Sequence, residues 1–117
     1  MTYEAYLVNA AKKFTNLGAK VLISSATPNN LWESGTFGYT PDRFSGYAVD
    51  AAAEAGVVYV NHQQAVADTY EALGYDAVSA FYPNDHTHTS PAGADAVTAA
   101  FVDALRDTDS ELVGYLV

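Results

Sequence analysis

The chain has 117 residues, of which 50% are hydrophobic, and its 14 acidic and 5 basic side chains give a net charge of −9. This length and composition predict one soluble, compact domain spanning residues 1–117, and the negative charge argues against nucleic acid or an anionic membrane as a partner. Cysteine is absent, which excludes disulfides, thiolate nucleophiles and cysteine-ligated zinc.

The beginning of the chain predicts a helix followed by a buried strand. Thr2 is placed to cap a helix over residues 3–17, whose apolar side chains recur at helical spacing, and Gly18 is placed to end it. Residues 20–25 then predict a strand. Its apolar residues are continuous rather than alternating, as expected for a parallel strand that is covered on both faces.

A second helix and a second strand follow. Thr40 is expected to cap this helix, with Pro41 in the first turn, where the missing amide proton costs nothing. Gly56 is expected to end it. Residues 57–60 are rich in β-branched side chains and predict the second strand.

Two further helices complete the predicted elements. Asn61 and Gln64 have the spacing of a capping pair for a helix that ends at Gly74. A tyrosine-containing loop follows, after which Ser90 caps the last helix and Pro91 opens it. Helices that alternate with short strands imply right-handed crossovers and a parallel sheet, and therefore an α/β fold.

The predicted sheet contains only two parallel strands with flanking helices. Such a pair leaves outer edges with unpaired backbone groups and apolar side chains facing water. We therefore expect the free edge to be covered by self-association as a homo-oligomer, by a rearranged or domain-swapped neighbour, or by the apolar tail of residues 112–117, whose composition is typical of a strand.

Asp85 and His88 carry the clearest chemical signal of the chain. Their spacing lets a carboxylate in a tight turn accept a hydrogen bond from the imidazole three residues later, which leaves the second ring nitrogen free to take a proton from a serine hydroxyl. His86 could join them in binding a divalent metal. Because three donors within four residues form a cramped chelate, we expect no metal site. His62 is expected to be a surface residue of its helix.

The residues around this pair extend the signal. Residues 82–94, Tyr-Pro-Asn-Asp-His-Thr-His-Thr-Ser-Pro-Ala-Gly-Ala, resemble the last sequence block of the SGNH-type (GDSL-like) esterases, and specifically of fungal rhamnogalacturonan acetylesterases. The resemblance covers nearly all of residues 3–105, and it includes the segments 18–25, 27–30 and 32–37. It implies a three-layer, flavodoxin-like fold in which Asp85 and His88 are the acid and base of a catalytic triad, with no cofactor.

The rest of the family's catalytic apparatus is not found in the sequence. The family carries its nucleophile in a Gly-Asp-Ser motif near the N-terminus and its oxyanion hole in a Gly and an Asn further on. The chain contains no Gly-Asp-Ser and no Gly-x-Ser-x-Gly elbow, and Ser90 is better explained as a helix cap. The chain therefore resembles the C-terminal portion of such an esterase without the N-terminal segment, and we expect little or no activity from it alone.

The resemblance implies an acetylated pectic polysaccharide as substrate and implies secretion. The chain itself shows no signal peptide and no apolar run of membrane-spanning length. Three hypotheses remain open at this point. The chain is an esterase half that works with a segment bearing the serine, a non-catalytic module that binds carbohydrate or a protein, or a truncated product with no function of its own.

The loop of residues 27–43 leaves the carboxyl end of the first predicted strand, where open α/β sheets bind their ligands. Asn29, Asn30 and Trp32, with Tyr39 nearby, could present amide hydrogen bonds and an aromatic platform to a sugar. The alternative is that the Pro-Asn-Asn run forms a turn and that Trp32 is buried against the sheet.

Overall fold

The computed structural model describes residues 2–117 of the chain. This part contains helices and two short strands, joined by loops. The elements in chain order are α1 (Tyr3–Asn16), β1 (Leu22–Ser24), α2 (Arg43–Ala55), β2 (Val58–Val60), α3 (His62–Leu73), α4 (Tyr75–Ala80), α5 (Pro91–Arg106) and a 3-10 helix (Glu111–Tyr115). The predicted helices and strands occur in the predicted order, and α4 and the 3-10 helix are additional to them. None of the helices in this part of the chain has the length and apolar character needed to cross a membrane.

Local capping residues set most of the helix ends. The Thr2 hydroxyl accepts a hydrogen bond from a first-turn backbone N–H at 3.2 Å, and the Ser90 hydroxyl does the same for α5 at 3.2 Å, with Pro91 in the first turn. Gly56 ends α2 with φ of +69°, a left-handed conformation that glycine adopts without steric cost. These predicted caps are confirmed.

The start of α2 differs from the prediction by two residues. Asp42, rather than Thr40, is the N-cap, and its Oδ1 accepts the backbone N–H of Ser45 at 2.8 Å. A carboxylate is a stronger acceptor than a hydroxyl, and its charge is favourable at the positive end of a helix. Pro41 therefore lies before the helix instead of inside its first turn.

Two other local predictions are wrong. Asn61 occupies the N-cap position of α3, but its ψ of 60° lies outside the extended region, and its side chain makes no capping bond. The Gln64 side chain donates instead to Asp68 Oδ1 at 2.9 Å. The tyrosine-containing segment predicted as a loop begins with α4, Tyr75–Ala80. Burial of Val78 in the core stabilises this helix, which local sequence alone does not specify.

The two strands pair in parallel and form the middle of three layers. Ile23 lies opposite Tyr59 in the register, and both belong to the apolar cluster beneath α1 and α2. Val60, which is fully buried, belongs to the cluster that α3 and α5 form on the opposite face. Helices on both faces of a parallel pair confirm the α/β class and correspond to part of the three-layer fold that the resemblance implied.

The C-terminal tail does not add a strand to this sheet. Residues Glu111–Tyr115 form a 3-10 helix that Ser110 caps through its side chain. Val113 and Leu116, three residues apart as the 3-10 period requires, pack on the cluster around Val60. The prediction that the tail completes the sheet is therefore wrong, because the tail covers a face and not an edge. Within residues 2–117 the sheet has two strands, and cover by self-association stays a prediction.

Gly93 permits the first turn of α5 to pack closely against the end of α4. A methyl group at this position would lie 2.8 Å from Phe81 Cβ and 3.0 Å from Thr89 Cβ. We expect Gly93→Ala to lower the free energy of unfolding by about 1–3 kcal/mol through overpacking, as measured by urea denaturation.

Gly46→Ala is the matched control for this substitution. Gly46 lies within α2, and an added Cβ would meet no atom within 4 Å. This change should raise the free energy of unfolding by about 0.5–1 kcal/mol, since alanine is the better helix former. Equal effects of the two substitutions would contradict the packing explanation for Gly93.

Candidate functional site

Asp85 and His88 lie together in the loop between α4 and α5. Asp85 Oδ2 is 2.8 Å from His88 Nδ1. Because an ionised carboxylate can only accept, Nδ1 carries the proton and donates it, which leaves Nε2 of the neutral ring as an acceptor. The pair therefore has the acid-to-base geometry of a triad, with the accepting nitrogen unoccupied.

The same carboxylate also holds the turn that presents the imidazole. Asp85 Oδ1 accepts the backbone N–H groups of Thr87 and His88, each at 2.7 Å. The backbone N–H of His88, that of Thr87 and then the His88 side chain stabilise the charged form, and they lower the pKa of Asp85 to about 2. Asp85 is consequently ionised at neutral pH.

The His88 ring is open to solvent. Its side chain is 82% exposed, and that of Asp85 is 45% exposed, so an incoming group can reach Nε2 without displacing the core. Among residues 2–117, no serine hydroxyl hydrogen-bonds to His88, and the Ser90 hydroxyl is used as the cap of α5. The described residues thus place an exposed imidazole beside a carboxylate, with no serine hydroxyl bonded to the ring.

His86 forms a second imidazole–carboxylate pair beside the first. Its Nδ1 lies 3.0 and 3.2 Å from the two carboxylate oxygens of Glu33. The backbone carbonyl of His86 accepts the N–H of Asn30 at 2.8 Å. These contacts fasten the loop of residues 83–89 to the loop that follows β1.

The sequence-predicted sugar contacts lie in that same loop, in three different environments. Asn29 is exposed. The side-chain oxygen of Asn30 accepts the backbone N–H of Trp32 at 3.0 Å, which is turn chemistry. The Trp32 indole N–H donates to the Tyr70 carbonyl at 2.8 Å, and its ring packs on Phe37 at a centroid distance of 5.4 Å. The Trp32 indole N–H is therefore already used inside the protein.

Two buried tyrosines hold the loop that follows β1 in place through hydrogen bonds. The hydroxyls of Tyr70 and Tyr82 lie 2.9 Å apart, and Tyr82 donates to the Pro28 carbonyl at 2.9 Å. Burial raises the pKa of both phenols, so they remain neutral donors. The path of the loop after β1 is set by these bonds.

His62 is buried, so the expectation of a surface position is wrong. The residue is 6% exposed, its Nε2 lies 2.9 Å from the Thr27 hydroxyl, and its ring meets Phe101 edge-on at 5.4 Å. Burial lowers the pKa of His62, which favours the neutral ring. Helix α3 starts directly after β2 at the sheet, and its first turn therefore points inward, where His62 holds the start of the loop.

Gln63 is the centre of a buried polar network that the sequence did not predict. It is 3% exposed. Its side chain donates to Asp42 Oδ2 at 3.0 Å and accepts from the Ser45 hydroxyl at 3.0 Å, while its backbone N–H donates to the Ser25 hydroxyl at 2.9 Å. The hydrogen bond from Gln63 is the main cause that lowers the pKa of Asp42. The sequence feature that could have indicated this network is the position of Ser25 and Gln63, which closely follow the ends of β1 and β2.

Within residues 2–117, the His, Asp and Glu side chains form no group of three or more that could hold a metal ion. Asp85, His86 and His88 are close in sequence, but His86 faces Glu33 while His88 faces Asp85. The arrangement is that of two separate hydrogen-bonded pairs. Its chemistry is proton transfer at exposed imidazole nitrogens.

The chain is similar to a curated protein from Emericella nidulans named rhamnogalacturonan acetylesterase, with 58% identity over 105 residues. Those residues make up 90% of this chain and 43% of the relative, so the chain spans less than half of the length of the protein that it matches. This partial coverage fits the prediction of a C-terminal portion. No protein-family model matches the chain.

The titration of Asp85 tests the geometry of this pair. Its pKa is about 2 in the folded protein and about 3.9 in an unfolded chain. Because the folded value is the lower one, the carboxylate stabilises the folded loop fully above about pH 3.9, and this contribution is lost as the pH falls through about 2. We expect the Asp85 carboxyl carbon to titrate with a midpoint near the folded value in a ¹³C NMR experiment.

His88→Ala provides the control for this titration. It removes one hydrogen bond to the carboxylate and retains the two backbone bonds, so the Asp85 midpoint should rise only partway toward that of the unfolded chain. A midpoint of about 3.9 in the unmodified protein would show that the turn is not held in this way in solution.

Proposed function

We propose that the chain belongs to the rhamnogalacturonan acetylesterase family of SGNH-type esterases and that it supplies the acid–base half of a serine esterase that removes acetyl groups from a pectic polysaccharide. The observation that carries this proposal is the 2.8 Å contact between Asp85 Oδ2 and His88 Nδ1, with Nε2 open to solvent. An imidazole so oriented is what acyl transfer by a serine requires.

The reaction needs one proton that His88 takes up and returns. Nε2 of His88 accepts the proton of a serine hydroxyl while the serine oxygen bonds to the acetyl carbonyl carbon. The tetrahedral intermediate then expels the sugar oxygen, which receives the proton from His88. Water repeats the sequence on the acetyl-serine and releases acetate. Asp85 stays ionised throughout and stabilises the imidazolium.

We propose that the serine and the oxyanion donors come from a segment outside this sequence. Helix α2 packs against both strands, whereas α1 lies over β1. The exposed large apolar side chains of α1 and its C-cap include Tyr6, Phe14 and Leu17. An unpartnered strand edge beside exposed apolar groups fits the addition of further strands next to β1.

The chain alone should show little or no hydrolysis of p-nitrophenyl acetate, because an esterase that lacks its nucleophile loses on the order of 10⁴ to 10⁶ in turnover. Mixing it with a segment that bears the family's Gly-Asp-Ser motif should produce activity. Stopped assays on acetylated rhamnogalacturonan, with release of acetate as the readout, measure the same gain on the proposed substrate.

Variants of the mixture assign the roles. His88→Ala should abolish the gained activity, and Asp85→Asn should lower it on the order of 10⁴-fold, because the neutral amide no longer orients the ring for proton uptake. Asp95→Asn, which removes an equal charge from an exposed position of α5, should leave it unchanged.

Two results would contradict the proposal. One is turnover by the purified chain alone that disappears in His88→Ala, which would place the nucleophile within these 117 residues. The other is a mixture in which the two segments associate, as judged by sedimentation, but no acetate is released.

A further inference from the structure

A group of exposed aromatic side chains lies away from the loop of Asp85, where the first turns of α1 and α2 meet. Tyr3 contacts Phe44 edge-on at a centroid distance of 5.1 Å, and Phe44 contacts Tyr47 at 6.0 Å. The three residues are 45%, 42% and 39% exposed. Single exposed aromatics are ordinary, but three in mutual contact form a patch that calls for a partner.

A guanidinium group completes this patch. The Arg43 guanidinium carbon lies 5.1 Å from the centroid of the Phe44 ring. Among residues 2–117, Arg43 forms no ion pair, since the neighbouring carboxylate of Asp42 bonds to the Ser45 backbone and the Gln63 side chain. It is also the only lysine or arginine between Lys20 and Arg106. Because this stacked guanidinium has no ion pair among the described residues, its N–H groups are available to an anion.

These side chains enclose a shallow pocket of about 310 Å³, which we call the aromatic pocket; it is lined by Thr2, Tyr3, Glu4, Arg43, Phe44 and Tyr47. Its volume suits a small ring, and aromatic side chains beside a few polar groups are typical of ligand sites. The rings offer flat apolar surfaces, Arg43 offers two parallel donors for a carboxylate, and Glu4 offers an acceptor for hydroxyl groups.

The aromatic pocket opens at the same end of the sheet as the loop of Asp85. Helices α1 and α2 each precede a strand and return antiparallel to it, so their first turns lie at the end where β1 and β2 finish. The loop that leaves β1 at this end contacts the carbonyl of His86. The aromatic pocket and the loop of Asp85 therefore lie at the same end of the sheet.

We propose that the aromatic pocket binds a uronic acid unit of an acidic oligosaccharide, with the pyranose ring against Tyr3, Phe44 and Tyr47 and its carboxylate on Arg43. The choice of an acidic sugar chain rests on the proposed function, in which the substrate is a pectic polysaccharide. Binding at the pocket does not require hydrolysis, because the site involves neither Asp85 nor His88.

An NMR titration of the ¹⁵N-labelled chain with trigalacturonic acid tests this site. We expect saturable shifts confined to residues 2–4 and 43–47, and weaker shifts with a neutral galactose trimer. Arg43→Gln should weaken binding of the acidic trimer by about tenfold or more, as loss of a charge-assisted pair implies. It should leave binding of the neutral trimer unchanged.

Control variants separate this inference from the proposed function and from a general charge effect. Lys13→Gln removes one positive charge at the opposite end of α1 and should leave the affinity unchanged. His88→Ala should also bind with unchanged affinity, so loss of esterase function and loss of pocket binding are distinguishable. Thermal melting of each variant shows that the fold is retained.

Several results would overturn the inference. These are the absence of saturable shifts, equal affinity of Arg43→Gln and the unmodified chain, or shifts that map to the loop of residues 85–88. Shifts of residues 2–4 and 43–47 that appear on raising the protein concentration without sugar would assign the pocket to a second copy of the chain instead.

Discussion

The ionised carboxylate of Asp85 is the acceptor on which the loop between α4 and α5 depends. One oxygen receives two backbone N–H groups and so closes the turn, while the other receives the His88 imidazole. The turn and the oriented base are therefore a single hydrogen-bonded unit. Each bond favours the charged carboxylate, and the charge in turn fixes the tautomer that leaves Nε2 available.

The surroundings of this unit are built from two loops that are distant in sequence. His86 joins them through its carbonyl to Asn30 and through its ring to Glu33, and Tyr82 joins them through Pro28. His86, which lies between Asp85 and His88, is thus a structural link between their loop and the loop that follows β1. Tyr82 and His86 are thus positioned by residues more than 50 positions upstream.

Features that could be predicted from the sequence depend on contacts within a few residues, such as the caps Thr2 and Ser90 and the Asp85–His88 pair. Features that could not be predicted depend on long-range contacts. Asp42 becomes the cap of α2 where Gln63, 21 residues away, binds its second oxygen. His62 is buried where its ring meets Phe101 and its Nε2 lies beside the Thr27 hydroxyl, 35 residues away. Local sequence patterns contain no information about such distant partners.

The local character of the Asp85 bonds has a consequence for assembly. All three bonds close within residues 85–88, so the imidazole holds its orientation without any contact from outside the chain. In the proposed function, a segment that brings a nucleophile has only to be positioned against a loop that is already ordered. The conformational entropy of arranging the base is lost when this chain folds, and it does not weaken the later encounter between the two parts.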